Sequence, residues 1–220
     1  MIRQIAVIDP AVKTAETDCF NRLVMESPLP LTYHLPKIGG MDSLLGLHGE
    51  LAGIIVLGSG SSVNDAEPWQ LAMNQWLKPQ MDKGVPTIGL CYGHQLIAHL
   101  FGAKVDFIFA DKHKHLGFRT VSLKANRLWD NHAMDGELVV SHREQVVDCP
   151  TGFEIVGCSP EINVDALAHK SLPIWSFQSH PESTASFLKS QGIPLPSQAN
   201  RLNFGHAIMG DFLKFVAGRT

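Results

Sequence analysis

Cys91 lies in Gly89-Leu90-Cys91-Tyr92-Gly93, flanked at two residues' distance by glycine on both sides. The apolar run Val85-Pro86-Thr87-Ile88 leads into it, and Leu96, Ile97, Leu100 and Phe101 follow at helical spacing. Strand, abrupt turn and helix in that order lift a nucleophile above a sheet edge, and the crowded flanks leave no room for side chains. At a helix N-terminus the partial positive charge of unpaired N–H groups favours a thiolate. A cysteine nucleophile also needs a base, a group that orients the base, and donors for an oxyanion. His180-Pro181-Glu182 supplies an imidazole and a carboxylate two residues apart. In an extended chain residues i and i+2 project to one side, and Pro181 stiffens the link. Glu182 is then placed to orient His180, and His180 to exchange a proton with Cys91 and a leaving amine. The N–H of Tyr92, just after the nucleophile, is one oxyanion donor; the Gly58-Ser59-Gly60 loop offers a second through its backbone. The plain alternatives are a buried structural cysteine, a solvated His–Glu pair and an ordinary turn.

These groups require a scaffold that gathers strand ends. Ile5–Ile8 is a β-branched run ending at Asp9-Pro10, and Ile54–Leu57 another that empties into the Gly58 loop. Leu31–Leu35 reads as an edge strand, Lys13–Met25 as a helix, and Asp65–Met81 as a helix capped by Asp65 and interrupted at Pro79. Alternating strands and helices predict a flavodoxin-like, doubly wound, mostly parallel α/β sheet, with ligands at the carboxyl ends of its strands. From about Lys104 the pattern changes to short strand-like pieces, at 105–109, 117–123, 137–141, 145–148, 154–158 and 164–169. They predict an antiparallel β meander added to the α/β half rather than a separate domain. Pro173–Gln178 is one more apolar strand, running to His180, and 204–216 a closing helix. The whole chain, 1–220, reads as a single domain.

Gly-Leu-Cys-Tyr-Gly-His-Gln (89–95) together with Ser-His-Pro-Glu (179–182) resembles the class I glutamine amidotransferase family, of the Cys-His-Glu type. Within that family the pattern is most similar to the glutaminase domain of GMP synthases, and the likeness runs over most of the chain. The resemblance implies that Cys91 is the nucleophile, His180 the general base and acid, and Glu182 its partner. It implies that Gln95 helps hold substrate glutamine. It further implies that Ser141-His142-Arg143, in a segment similar to the family's Ser-His-x-x-x-Val, receives the α-amino and α-carboxylate groups through backbone and neighbouring side chains. Gly58-Ser59 matches the family's Gly-Gly of the oxyanion loop, where Gly60 replaces the usual proline and predicts a more mobile loop. No segment matches an ATP-pyrophosphatase domain or a Walker-type loop, so the expectation is a stand-alone glutaminase-like chain. Two substrates fit: glutamine, with ammonia passed to a synthase partner, or a γ-glutamyl peptide or amide. A non-catalytic binding module that keeps the amidotransferase shell is the reading from another class.

The remaining numbers narrow the field. In 220 residues, 45% are hydrophobic and 18% charged, with a formal charge of −3, which gives no reason to expect nucleic acid or an anionic membrane as partner. No apolar run approaches membrane-spanning length. The four cysteines form no CxxC pair and fit a reducing cytoplasm. Lys112-His113-Lys114-His115 reads as a solvated basic turn rather than a metal site, and no cofactor is expected. His94 and His99 read as packing or surface residues, and Trp69, Trp76 and Trp129 as core or interface.

Overall fold

The computed structural model describes residues 2–198 and 200–219. Its frame is five parallel strands: β1 (Arg3–Ile8), β2 (Leu31–His34), β3 (Glu50–Val56), β4 (Thr87–Leu90) and β11 (Ile174–Phe177). They lie in the order β2-β1-β3-β4-β11, with every neighbouring pair parallel. This is the flavodoxin-like order, which reverses direction between β1 and β3. Beyond β11 the sheet continues through β10 (Ala166–His169), β9 (Phe153–Cys158), β6 (His115–Leu123) and β7 (Met134–His142). All these pairings are antiparallel, so among the described residues one nine-stranded sheet joins both halves. The meander expected from sequence is therefore an extension of the sheet. Two of its predicted pieces leave it: β5 (Val105–Phe107) and β8 (Glu144–Val146) pair with each other in a separate ribbon.

The central strands are buried on both faces, and residues two apart share a face. Ile5, Val7, Ile55 and Leu57 pack with Leu23 of α1 (Thr17–Glu26) and with Ile208, Phe212 and Val216 of α7 (Asn203–Ala217). Ala6, Ile8, Ile54 and Val56 pack on the other face with Met73 and Leu77 of α4 (Pro68–Asp82) and Leu96 of α5 (Tyr92–Leu100). The result is a sheet between two helix layers. Short helices α2 (Pro36–Gly39), α3 (Asp42–Leu45) and α6 (Ala185–Ser190) fill the connections.

Three boundaries differ from the sequence reading. Helix α1 starts at Thr17, not near Lys13; the 11–16 stretch instead lies along a cavity beside the strand ends. Helix α4 is capped by Glu67 in a reciprocal capping box with Gln70, with Pro68 in the first turn. Asp65 accepts a bond from Ser62 N at 2.8 Å in the preceding loop. Pro79 does not interrupt α4, which continues to Asp82, and Lys83 N reaches the Pro79 carbonyl at 3.1 Å.

Candidate active site

The parallel strands end at one edge, where Asp9 follows β1, Gly58 follows β3, Cys91 follows β4 and His180 follows β11. The turn at Cys91 is as tight as the glycine pattern requires. Cys91 has φ 52° and ψ −100°, an uncommon conformation for a non-glycine residue, held by its N–H on the Phe177 carbonyl at 2.8 Å. A Cβ on Gly89 would meet the Gly93 carbonyl oxygen at 2.4 Å, and one on Gly93 would meet that of Val56 at 2.4 Å. Both obstacles are backbone, so neither yields. Helix α5 begins at Tyr92, whose N–H has no helical carbonyl a turn earlier and stands at the positive end of the dipole beside the thiol. The Tyr92 side chain turns into the core, where its hydroxyl accepts from Gln70 at 3.1 Å.

His180 is buried, and its Nδ1 pairs with Glu182 Oε1 at 2.9 Å. The local reason differs from the extended chain expected. Ser183 N bonds the His180 carbonyl at 3.2 Å, closing a turn with Pro181 at its second position. That turn folds Glu182 back beneath the ring. His180 N is fixed on the Val139 carbonyl at 2.8 Å, and Phe187 backs the imidazole at 4.5 Å between ring centroids. The other nitrogen, Nε2, is buried without a hydrogen-bond partner among the described residues. Burial works against protonation of this ring, but the Cys91 sulfur and then the Glu182 carboxylate outweigh it and raise its pKa well above the usual histidine value. A Cβ on Gly58 would fall 2.8 Å from His180 Cε1 and 3.7 Å from Cys91 Cβ. Gly58 is thus the spacer against which imidazole and cysteine both rest.

The Ser59 side chain is a tether. Its hydroxyl donates to the Pro10 carbonyl at 2.6 Å and accepts from Ser61 N at 3.1 Å. These bonds restrain the loop in which Gly60 stands where the resemblance expects proline. Gln95 uses both amide hydrogens inside the protein, on the Glu144 carbonyl at 2.8 Å and on Gln178 Oε1 at 3.2 Å. His142 is locked as well. Arg119 Nη1 donates to its Nε2 at 3.2 Å, so Nδ1 carries the hydrogen and donates to the Glu144 carbonyl at 2.9 Å. Its ring anchors the 141–144 segment, in which Ser141, His142 and Glu144 are buried and Arg143 is exposed.

Two cavities meet at the sulfur. One, of about 380 Å³, is lined by Gln95, His142, Arg143, Glu144 and Asp65. The other, of about 610 Å³, is lined by His180, Glu182, Asp9, Glu16 and Phe187. Cys91, Ser59, Gly60, Lys114 and Ser141 border both.

A family model described as glutamine amidotransferase class-I matches residues 41–193, well over half of the chain. The chain belongs to the class I glutamine amidotransferases. A GMP synthase (glutamine-hydrolyzing) of Staphylococcus saprophyticus is 31% identical over 131 residues, 59% of this chain but 24% of that protein. A protein of Methanococcus aeolicus named as one subunit of a GMP synthase (glutamine-hydrolyzing) is 30% identical over 133 residues, 60% of this chain and 65% of that one. The matched stretch thus spans about a quarter of the first relative's length and under two thirds of the second's. Among solved structures, a glutamine amidotransferase of Thermotoga maritima superposes with TM-score 0.76 at 16% identity, covering 99% of both chains. A glutamine amidotransferase of Methylobacillus flagellatus gives 0.73 at 18%, covering 100% of this chain and 96% of that one.

In this amidotransferase the sequence reading missed several residues at the site. Lys112 and His113 are exposed as expected of a solvated turn, but Lys114 turns inward. Its ammonium donates to Gln191 Oε1 at 2.7 Å, and the same oxygen accepts from the Ser141 hydroxyl at 2.7 Å. This Lys114–Gln191–Ser141 bridge stands between the two cavities. Arg119 also pairs with buried Asp165, tying β6 to the 165 turn. Ser62 donates to Glu144 Oε1 at 2.8 Å across the smaller cavity. Only the charge of Lys114 was readable in advance; its inward turn depends on the pairing of β6 with β7. His94 is a packing residue: its ring accepts from Ser176 at 2.8 Å and donates to the Val164 carbonyl at 3.1 Å, and burial lowers its pKa to about 3. His99 is exposed and Trp129 buried. Among the described residues, no helix is long and apolar enough to cross a membrane, and no cluster of three or more metal-ligating side chains occurs.

Proposed function

We propose that this amidotransferase hydrolyses the γ-carboxamide of glutamine or a γ-glutamyl compound through a thioester on Cys91. The observation that carries the reading is the His180 imidazole. It is buried, held at Nδ1 by Glu182, left free at Nε2, and packed with Cys91 against Gly58. The raised imidazole pKa fits a protonated ring that can give its proton to the leaving nitrogen. The glutamyl body lies in the smaller cavity, its carboxylate toward Arg143 and the 141–142 backbone, its amino group toward Asp65 and Glu144. Gln95 holds that wall in place. The thiolate attacks the γ-carbon, and the carbonyl electrons move onto oxygen. The N–H groups of Tyr92 and Ser59 receive the oxyanion, each such donor being worth about 3 kcal/mol. The C–N bond then breaks as His180 gives its proton to the leaving nitrogen. Water, deprotonated by His180, clears the thioester and returns the sulfur.

The likeness to a protein named as one subunit of a GMP synthase supports a synthase partner that takes up the ammonia. In this proposal residues 1–220 act as one amidotransferase unit, with no nucleic acid or membrane partner and no cofactor. Four free thiols fit a reducing compartment such as the cytoplasm. The test is ammonia release from glutamine by the wild type and by Cys91→Ala. A loss of at least about a thousandfold is expected, with the unfolding temperature kept. Equal turnover by both proteins would refute the reading.

A further inference from the structure

The two cavities differ in what they hold. The smaller one contains Gln95 and the 142–144 segment but not His180; the larger contains His180, Glu182 and no part of the 142–144 segment. The Lys114–Gln191–Ser141 bridge and the sulfur form the boundary. On the reading above, the acyl group sits on one side and the nitrogen protonated by His180 departs into the other. Ammonia needs little space there, since a molecule of water's size takes about 30 Å³. The departure side is a cavity of about 610 Å³.

Its wall is acidic where it is deep. Asp9 is fully buried, and its Oδ2 accepts from Tyr33 and from Glu16 N, the latter at 2.8 Å, which seats Glu16 at the start of α1. Asp9 Oδ1 is buried with no hydrogen-bond partner among the described residues, as is Glu182 Oε2 on the same wall. Glu16 is half-buried and Asp18 exposed beside it. Of the two lysines lining the cavity, Lys13 is exposed and Lys114 is engaged by Gln191. The Glu16 carboxyl is pushed up to about 7, first by burial and then by Asp9 and Glu182. A carboxyl in that state gains most from a cation placed against it.

We infer that the larger cavity is a leaving-group site for an amine bearing a second positive charge, so that the preferred substrates are γ-glutamyl amides of aliphatic diamines, recognised through Glu16. This deepens the proposed function and rests on it. The reaction is the one already written. The γ-C–N bond breaks, the C–S bond forms, the proton on His180 goes to the diamine nitrogen, and water later releases glutamate.

The test compares glutamine with three γ-glutamyl amides of four-carbon amines: of 1,4-diaminobutane, of n-butylamine and of 4-aminobutanoate. The expected result is a kcat/KM for the diamine amide at least tenfold above the butylamide and further above the aminobutanoate amide. Glu16→Gln should bring the first ratio towards one. Rapid glutamine hydrolysis with all three tailed amides turned over a hundredfold more slowly would overturn this inference and mark the cavity as a passage for ammonia; the proposed function would stand. Preference for the anionic tail, or an unchanged ratio in Glu16→Gln, would overturn it too. Absence of any γ-glutamyl adduct on Cys91 with all four compounds would sink the proposed function itself, and this inference with it.

Discussion

Replacing Gly58 by alanine adds one methyl group at the point where imidazole and cysteine meet. The new carbon would lie 2.8 Å from His180 Cε1, whereas non-bonded carbons settle at about 3.5–4.0 Å. The backbone of Gly58 does not use the left-handed region, so alanine is conformationally acceptable and the contact is the whole perturbation. His180 is pinned at its own N–H, at Glu182 and against Phe187. The ring must therefore shift by about 1 Å, and a misplacement of that size costs about a hundredfold in rate, or about 2.7 kcal/mol of barrier. Stability should move by about 1 kcal/mol, and by no more than the barrier does. Alanine's entropic benefit of about 0.4–1 kcal/mol offsets part of an overpacking cost of about 1–3 kcal/mol. The assay is kcat for glutamine hydrolysis beside urea unfolding and the rate of Cys91 alkylation. A Gly58→Ala protein within twofold of wild-type kcat would refute the placement of His180 against Cys91.

Arg119→Met should destabilise the protein by about 3–5 kcal/mol in urea unfolding, because it takes the shared partner from the buried Asp165 carboxyl and from the His142 ring; adding Asp165→Leu should restore part of that loss. Glu182→Gln should move the alkaline limb of the kcat/KM–pH profile to lower pH, because the imidazolium loses one of the two charges that hold its pKa up; a limb that stays put would show that the carboxylate does not act on the ring. Glu16 holds its proton to about pH 7 when folded, against 4.5 as its ordinary value. Its sign is therefore opposite to that of a salt-bridged acid: the folded state binds more protons between those values, and stability falls as pH rises through them. Glu16→Gln should flatten that fall, read from urea midpoints at pH 4.5 and 8.

The elbow was legible because its glycines answer to backbone: any side chain at 89 or 93 would strike a carbonyl at 2.4 Å. The strands were legible because burial on both faces demands unbroken apolar runs. His180 and Glu182 were legible as a pair by spacing, but the bond between them comes from a Pro181 turn, which an extended-chain rule does not contain. The cap of α4 went to Asp65 on residue preference alone; Pro68 at the helix start and Gln70 beyond it carried the stronger signal. The interior of the site was not legible. Lys114 meets Gln191 across 77 residues, and Arg119 meets Asp165 across 46. Such contacts follow from the register of β6 on β7 and of β9 on β10, and no local spacing encodes them.

The proposed chemistry depends most on Cys91 carrying the acyl group. Acid quench during turnover of glutamine, followed by digestion and mass analysis of the Cys91 peptide, reads this directly. The expected result is one γ-glutamyl increment on that peptide, removed by hydroxylamine, and more of it in Glu182→Gln if water attack slows more than acylation. Sustained ammonia release from glutamine with the Cys91 thiol free to alkylate throughout, and no increment anywhere on its peptide, would contradict it.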